Sequence, residues 1–293
     1  MELRHLRYFV AVAEELHFTR AAQRLHIGQP PLSQQIQALE AELGVSLFRR
    51  HPRKVELTAA GQQFLPRARQ ILADAAAAAE AARRAARGES GELRLGFTSS
   101  LPLTPILHHS LQHYRQAYPS VRLTLREMFT AGQFAALEAG QLDVGFVRFN
   151  GPAPSDALCV EELHRDRLRL VVPREHPLAE AAGVHIAQLA EERWIAYPQE
   201  AGSGLNAVIR QLARDSGIVL RLAQEAGEAI TQIGLVAAGA GIAILPSPLE
   251  CVQIPAVRYV PLLDADAYLA MGVATRAGDE SPLVANFLRQ VRP

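Results

Sequence analysis

The chain has 293 residues, 49% of them hydrophobic and 20% charged, which excludes a disordered or fibrous protein and leaves room for two or three domains. Formal net charge is zero, yet residues 1–90 carry 13 Lys+Arg against 9 Asp+Glu and the remainder 17 against 21; a basic head on an acidic body favours nucleic acid as the partner of the head. Cys159 and Cys251, in unrelated contexts, suit a reducing compartment and exclude a cysteine-based zinc cluster, while the charged start at Glu2, Arg4 and Arg7 and a longest apolar run, 233–246, broken by four Gly or Pro residues, point to a cytoplasmic protein with no membrane partner.

Residues 3–43 read as three short helices. In the first, Leu3, Leu6, Val10 and Ala13 share a face, with Phe9 and Leu16 beside them. The second opens at Phe18, with Thr19 placed to cap it, and ends near 26–28. The third begins at Pro30-Pro31, a pair suited to a first helical turn, and Gly44 ends it. Its core face is Leu32, Ile36, Leu39 and Leu43. The opposite face presents Gln34 and Gln37, with Ser33 and Gln29 at the flank and N-terminal end. Amide side chains pair bidentately with adenine, and serine reaches base edges or phosphate. The competing reading of this pattern is a three-helix packing unit with a solvated loop.

Residues 45–57 give two extended stretches around the basic turn Arg49-Arg50-His51-Pro52-Arg53-Lys54, a β-wing able to lie along phosphates or in a minor groove. Thr58 then caps a helix running to about 87. Within it Leu65, Ala68, Leu72, Ala75, Ala79, Ala82 and Ala86 alternate spacings of 3 and 4, the 3.5-residue coiled-coil period, which predicts dimerisation. Pro66 is expected to disturb its first turns, and residues 88–91 form a linker.

From residue 92 short β-rich runs (93–97, 121–128, 143–147, 168–172, 194–197, 221–225, 242–245, 268–273) alternate with helical ones (105–118, 133–140, 205–216, 230–238). The alternation predicts parallel sheets with crossover helices, and the length predicts two such units. Ligands of open parallel sheets sit beyond the carboxyl ends of strands. There lie Thr98-Ser99-Ser100, Thr130 and Arg148. Hydroxyls and free N–H groups at helix N-termini favour anions, and an arginine adds a charge-assisted hydrogen bond. A carboxylate held by Ser100, Thr130 and nearby amides is therefore expected, with Arg148 on a second carboxylate or setting the potential. The spacing alone favours the plainer reading, hydroxyls that cap helices and an arginine in a salt bridge.

An enzyme fused to a DNA-binding head finds little support. There is no Gly-x-Ser-x-Gly elbow, phosphate-binding loop or His-Glu-x-x-His, and Gly202-Ser203-Gly204 and Gly239-Ala-Gly241 are too short to be motifs. His109 and His113, four apart, lack a third ligand. No catalytic residue, metal or cofactor is expected. A solute-binding transport protein would share the α/β architecture but not the DNA-binding head.

Several motifs in order carry a resemblance: Leu-Arg-His-Leu-Arg-Tyr-Phe (3–9), Phe-Thr-Arg-Ala-Ala (18–22), Gln-Pro-Pro-Leu-Ser-Gln-Gln-Ile (29–36), Leu-Glu-Ala-Glu-Leu-Gly (39–44), Leu-Phe-Arg-Arg (47–50) and Leu-Thr-Ala-Ala-Gly (57–61). They resemble the LysR-type transcriptional regulators, and the remaining chain fits that family too. The resemblance implies an α+β multidomain fold: a winged helix-turn-helix over 1–58, a linker helix over 59–87, a hinge at 88–91, and a periplasmic-binding-protein-like α/β effector-binding domain over 92–293. The last would have two Rossmann-like subdomains, 92–163 with 267–293 and 164–266. It implies a helix-turn-helix motif at about 18–37, with Thr19, Arg20, Pro30 and Pro31 joining Gln29, Ser33, Gln34, Gln37, Arg50, Arg53 and Lys54 at double-stranded promoter DNA. It also implies a homodimer or homotetramer on dyad-symmetric sites, in contact with RNA polymerase.

Gly96-Phe-Thr-Ser-Ser-Leu101, Asp143-Val-Gly-Phe-Val-Arg148, Gly234-Leu-Val-Ala-Ala-Gly239 and Leu262-Leu-Asp-Ala-Asp266 are similar to the subgroup answering muconate, benzoate and chlorocatechol-pathway acids. That similarity places Ser99, Ser100, Thr130 and Arg148 on effector-contacting positions, and Pro198, Ser203, Gly204 and Leu205 in the second lobe. Ser203 and Leu205 stand where the subgroup often has Pro and Phe, which predicts a roomier, less aromatic pocket for a small organic acid.

Overall fold

The structure, a computed structural model, describes residues 1–51 and 54–291 and divides into two compact units, Met1–Arg84 and Ala85–Pro293. The first unit opens with three helices, α1 (Leu3–Glu15), α2 (Phe18–Arg24) and α3 (Gln29–Leu43). Leu32, Ile36 and Leu39 are fully buried, as the spacing of α3 predicts, and Leu43 is half-buried. Each fully buried side chain of this size stabilises the fold by roughly 1.5–3 kcal/mol. Gly44 ends the helix in the left-handed region at φ 68°.

Two expectations for the first helices are corrected. The buried face of α1 is Leu6, Phe9, Val12 and Ala13, while Leu3 and Leu16 are exposed. The phase is set by Phe9, whose ring packs 5.3 Å from Phe48 and 5.0 Å from Phe64; a bulky ring takes the centre of the core and turns the helix about its axis. Thr19 does not cap α2: the cap position belongs to His17, and Thr19 lies inside the first turn, exposed.

The wing is the antiparallel pair β1 (Phe48–His51) and β2 (Lys54–Leu57), in register from Phe48 opposite Leu57 to His51 opposite Lys54. Glu40 of α3 holds it in place. One carboxylate oxygen accepts from the Leu47 and Phe48 N–H groups at 2.7 and 3.0 Å, and the other from Arg50 at 3.3 Å. Thr58 caps the long helix α4 (Ala59–Ala86) by accepting from the Gly61 N–H at 3.0 Å. A Cβ at Gly61 would lie 2.1 Å from the Leu47 carbonyl oxygen, so only glycine lets α4 start against the wing. The helix runs unbroken through Pro66. Leu65, Ala68 and Leu72 pack into the head, whereas Ala79, Ala82 and Ala86 are exposed.

The second unit is built on β3 (Gly91–Phe97), α5 (Pro105–Ala117), β4 (Val121–Glu127), α6 (Thr130–Glu138), β5 (Val144–Arg148), β6 (Leu158–Pro173), β7 (Arg193–Ala196), α7 (Gly204–Asp215), β8 (Arg221–Glu225), α8 (Ala229–Ala237), β9 (Ile242–Pro246), β10 (Val257–Pro261), β11 (Tyr268–Arg276) and α9 (Pro282–Val291). Strand order is β4-β3-β5-β11-β6-β9-β7-β8, with β10 paired to β6. β3, β4 and β5 are parallel, as are β7, β8 and β9. The expectation of purely parallel sheets is corrected at the centre, where β6 runs antiparallel to β9, β10 and β11. β6 has 16 residues, far longer than the expected 168–172, and joins both halves of the sheet. Separate apolar cores form on the two sides: one around Leu95, Tyr114, Phe146 and Phe287, the other around Leu170, Trp194, Ile233 and Ile244. Gly88 is packed against α9, whose Asn286 amide donates to the Arg87 and Gly88 carbonyls at 2.9 and 3.2 Å, so the linker residues are anchored.

Candidate functional site

In the first unit the outer side of α3 carries Gln29, Pro30, Pro31, Gln34 and Gln37, all exposed. Gln35, between the two outer glutamines, is tied to the His5 ring at 2.8 Å, which leaves Gln34 and Gln37 as the amides that point away from the core. The helix carries no charged side chain from Gln29 to Leu39, so this face offers neutral donors and acceptors suited to base edges rather than charges suited to water.

The flanking residues behave differently from one another. Arg50 donates to the half-buried Ser33 at 3.0 Å and lies 4.8 Å above the Phe18 ring, besides its pairing with Glu40. Ser33 and Arg50 thus fasten the wing to α3. Thr19 is exposed on α2, and Arg20 beside it donates to the Glu15 carbonyl at 2.7 Å. Lys54 pairs with Glu56 across the wing surface, and that contact, with the lysine ammonium first among its causes, lowers the Glu56 carboxyl below its ordinary range. Arg53 lies outside the described residues.

In the second unit the carboxyl ends of strands from both halves meet around a cavity of about 460 Å³, within the size range of small-molecule sites. Thr98, Ser99 and Ser100 follow β3; Met128, Phe129 and Thr130 follow β4; Arg148 ends β5. Tyr197 follows β7, Ser203 to Leu205 open α7, Gly227 and Glu228 follow β8, and Pro246 ends β9. The structure therefore brings together seven of the eight residues expected there: Ser99, Ser100, Thr130, Arg148, Ser203, Gly204 and Leu205. Pro198 does not line it; Pro198 starts a 3-10 turn, Gln199–Ala201, and Tyr197 before it takes the wall position. Phe129 and Tyr197 meet edge to face at 5.4 Å, so the wall retains two aromatic rings.

Arg148 is 4% exposed and its Nη1 donates to the equally buried Asp166 at 2.5 Å, the oxygen on the far side of which lies 3.3 Å from His164. Among the described residues its Nε and Nη2 hydrogens have no partner, nor has the buried Thr98 hydroxyl. Unpartnered buried donors are costly, on the order of 1–3 kcal/mol each, and more for a charged group. Their place on a cavity wall means that whatever fills the cavity recovers that cost. The Thr130 hydroxyl is already committed: it accepts from the Arg148 N–H and donates to the Arg148 carbonyl, each at 3.1 Å. Thr130 lines the cavity as expected, but its one hydroxyl proton is given to the Arg148 carbonyl in this structure. Burial, opposed by the Ser99 hydroxyl and Arg148, pushes the Tyr197 phenol up to about 12, so it stays a protonated donor.

Sequence reasoning missed Glu127, Glu228, Tyr197 and Phe129. The two carboxylates lie in the cavity lining and are exposed; in the sequence they look like ordinary solvated charges. Among the described residues no group of three or more His, Cys, Asp or Glu could hold a metal, and no helix is long and apolar enough to cross a membrane.

Comparison with known proteins gives two family matches: residues 3–62 match "Bacterial regulatory helix-turn-helix protein, lysR family" and residues 86–293 match "LysR substrate binding domain". The chain is 46% identical over 288 residues to the uncharacterized HTH-type transcriptional regulator YnfL of Escherichia coli K12, covering 98% of this chain and 96% of that protein. It is 38% identical to the HTH-type transcriptional regulator BenM of Acinetobacter baylyi, covering 100% and 95%. Among solved structures, CbnR, a LysR family transcriptional regulator, superposes with a TM-score of 0.83 at 32% identity over 100% of both chains; full-length CbnR has also been solved complexed with its target DNA.

Proposed function

The chain belongs to the LysR family of DNA-binding transcriptional regulators, and from that premise we propose that a small organic acid in the cavity of the second unit controls how the head engages promoter DNA. The observation that supports this most is Arg148, a buried guanidinium with two unpartnered donors facing a space of small-molecule size. A carboxylate oxygen placed there completes those hydrogen bonds, and the N–H groups that open α7 at Gly204 and Leu205 add the partial positive charge of a helix start. The role is regulatory, not catalytic.

On the DNA side, Gln34 and Gln37 read base edges, with Gln29, Pro30, Pro31, Thr19 and Arg20 against the adjoining backbone. Ser33 and Arg50 position the wing and Lys54 extends it, and Arg53 is assigned to phosphate on its charge alone. The exposed alanine stripe of α4 supports pairing of linker helices in a homodimer or homotetramer, since small residues let two helices approach closely. A ligand shifts such an assembly only by its differential affinity for two arrangements; the shift would change half-site spacing and, through it, contact with RNA polymerase in the cytoplasm. The similarity of Gly96–Leu101 and Asp143–Arg148 to the subgroup answering aromatic-pathway acids supports an effector drawn from aromatic-compound breakdown.

A thermal-shift screen of the full-length protein with small carboxylates tests the reading. A ligand at 100 times its Kd stabilises the native state by about 2.7 kcal/mol, and that gain should vanish when Ser100→Val or Arg148→Met alters the wall. No shift with any carboxylate would overturn it.

A further inference from the structure

The cavity is not uniformly suited to anions. Its one lining arginine or lysine among the described residues, Arg148, is already neutralised in part by Asp166, which is 5% exposed. Two carboxylates, Glu127 at the end of β4 and Glu228 at the start of α8, also line it, and neither has an ion-pair partner among the described residues. With Arg148 at +1 and Asp166, Glu127 and Glu228 at −1 each, the formal charge around the space is −2. A ligand carrying two carboxylates would set one of them against that rim, and like-charge juxtaposition is strongly unfavourable where water is displaced. A ligand with no anionic group would leave the Arg148 donors unpaired.

The burial pattern sorts the two kinds of charge by depth. Arg148 is buried and Ser100 is 6% exposed, whereas Glu127 and Glu228 are exposed. Anion-binding groups form the floor and carboxylates form the mouth. The Tyr197 hydroxyl lies within electrostatic reach of Arg148 and of both Glu228 and Glu127. Phe129 and Tyr197 add aromatic surface to the same lining, and a ring face attracts a cation.

We propose that the ligand of this cavity is a zwitterion, an amino acid in the wide sense, with its carboxylate on Arg148 at the floor and its ammonium beside Glu127 and Glu228 at the mouth. The proposal rests on the cavity being the effector site as argued above, and it narrows the ligand class. Glu127 and Glu228 are specificity determinants: they select for a cationic group and reject dicarboxylates of the same length.

The test uses the full-length protein and calorimetric titration with matched sets. Each L-α-amino acid, and 4-aminobutyrate, 5-aminopentanoate and 6-aminohexanoate, is compared with the monocarboxylate lacking the amino group and the dicarboxylate of equal chain length. At least one amino acid should bind tenfold or more tighter than both counterparts. Glu127→Gln with Glu228→Gln should reduce that preference to twofold or less; the single Glu127→Gln variant, which leaves the start of α8 intact, should remove part of it. A dicarboxylate that binds as tightly as its matched amino acid, or a preference that survives both substitutions, overturns the proposal. Binding of monocarboxylates without any gain from an amino group overturns it while leaving the effector-site reading in place. Absence of binding by every member of the sets overturns both.

Discussion

Thr130 and Arg148 are joined through the hydroxyl of one and the backbone of the other: the Thr130 Oγ1 accepts from the Arg148 N–H and donates to the Arg148 carbonyl, both at 3.1 Å. The link fixes the start of α6 to the end of β5, and so fixes the direction in which the Arg148 guanidinium leaves the sheet. Thr130 acts on the cavity by positioning Arg148.

Thr130→Val should therefore destabilise the second unit by about 2 kcal/mol, because it strands a buried N–H and C=O while keeping the side-chain shape. Thr130→Ser, which restores the hydroxyl, should recover most of it. Denaturant midpoints at constant m-value measure both; equal stability of the Val variant would show that the link carries no weight.

Gly204 allows the opening of α7 to touch the same carbonyl. A Cβ there would stand 1.8 Å from the Arg148 oxygen, whereas one at Gly132 in α6 meets nothing nearer than the Met128 Cβ at 3.9 Å. Gly204→Ala should force α7 away from the cavity and weaken ligand binding at least tenfold. Gly132→Ala should leave binding within twofold. Titration of the two variants side by side separates a local clash from a general loss of helix glycine.

Gln34→Ala should cost roughly 1–3 kcal/mol at a cognate DNA site and relax base preference there. Fluorescence anisotropy with cognate and scrambled duplexes is the measurement. An equal loss on both duplexes would remove Gln34 from base readout.

Glu40→Ala removes the shared acceptor of the Leu47 and Phe48 N–H groups and the partner of Arg50. The wing should loosen, with head stability lowered by about 2–3 kcal/mol and DNA affinity reduced for all sequences alike. A variant with wild-type stability and affinity would show that the β1–β2 ladder alone holds the wing.

Asp143 gives an acid-sensitive contact. Burial would raise its carboxyl, but hydrogen bonds from the Arg94 side chain and backbone and from Arg276 outweigh burial and leave it below its ordinary value. A carboxyl lowered in the folded state contributes stability above its unfolded pKa and loses it as pH falls through the folded one. The wild-type thermal midpoint should drop on acidification below the carboxylate range, and Asp143→Asn should start lower at neutral pH and show a shallower acid slope.

Much of the head is legible in the sequence because α3 keeps the helical period with charge absent from its outer side, so inward and outward faces separate cleanly. The floor of the cavity is legible as hydroxyls and an arginine at strand ends. The phase of α1 is not, because Leu3, Leu6, Val10 and Ala13 satisfy the same period as the face in use and only the contact of Phe9 with Phe48 and Phe64 decides between them. Nor is Glu40, whose carboxylate resembles any surface acid until three donors from the start of the wing converge on it. The length of β6 is hidden because its first half, Leu158 to Arg165, is rich in charge and pairs antiparallel with β11 on an open face. Glu127 and Glu228 are hidden for the same reason: a carboxylate at a cavity mouth and one in bulk water leave the same trace in a sequence.

β6 and β11 are also the two places where the chain passes between the halves of the large sheet, and they are hydrogen-bonded to each other along that passage. Their ladder slips at Met271/Gly272, where a Cβ on Gly272 would press to 2.8 Å from the Glu161 oxygen. The two halves of the large sheet are thus tied together by one paired ribbon, interrupted at that slip. A single methyl group added at position 272 would bear on that join, so one residue decides how closely the strands linking the halves can run.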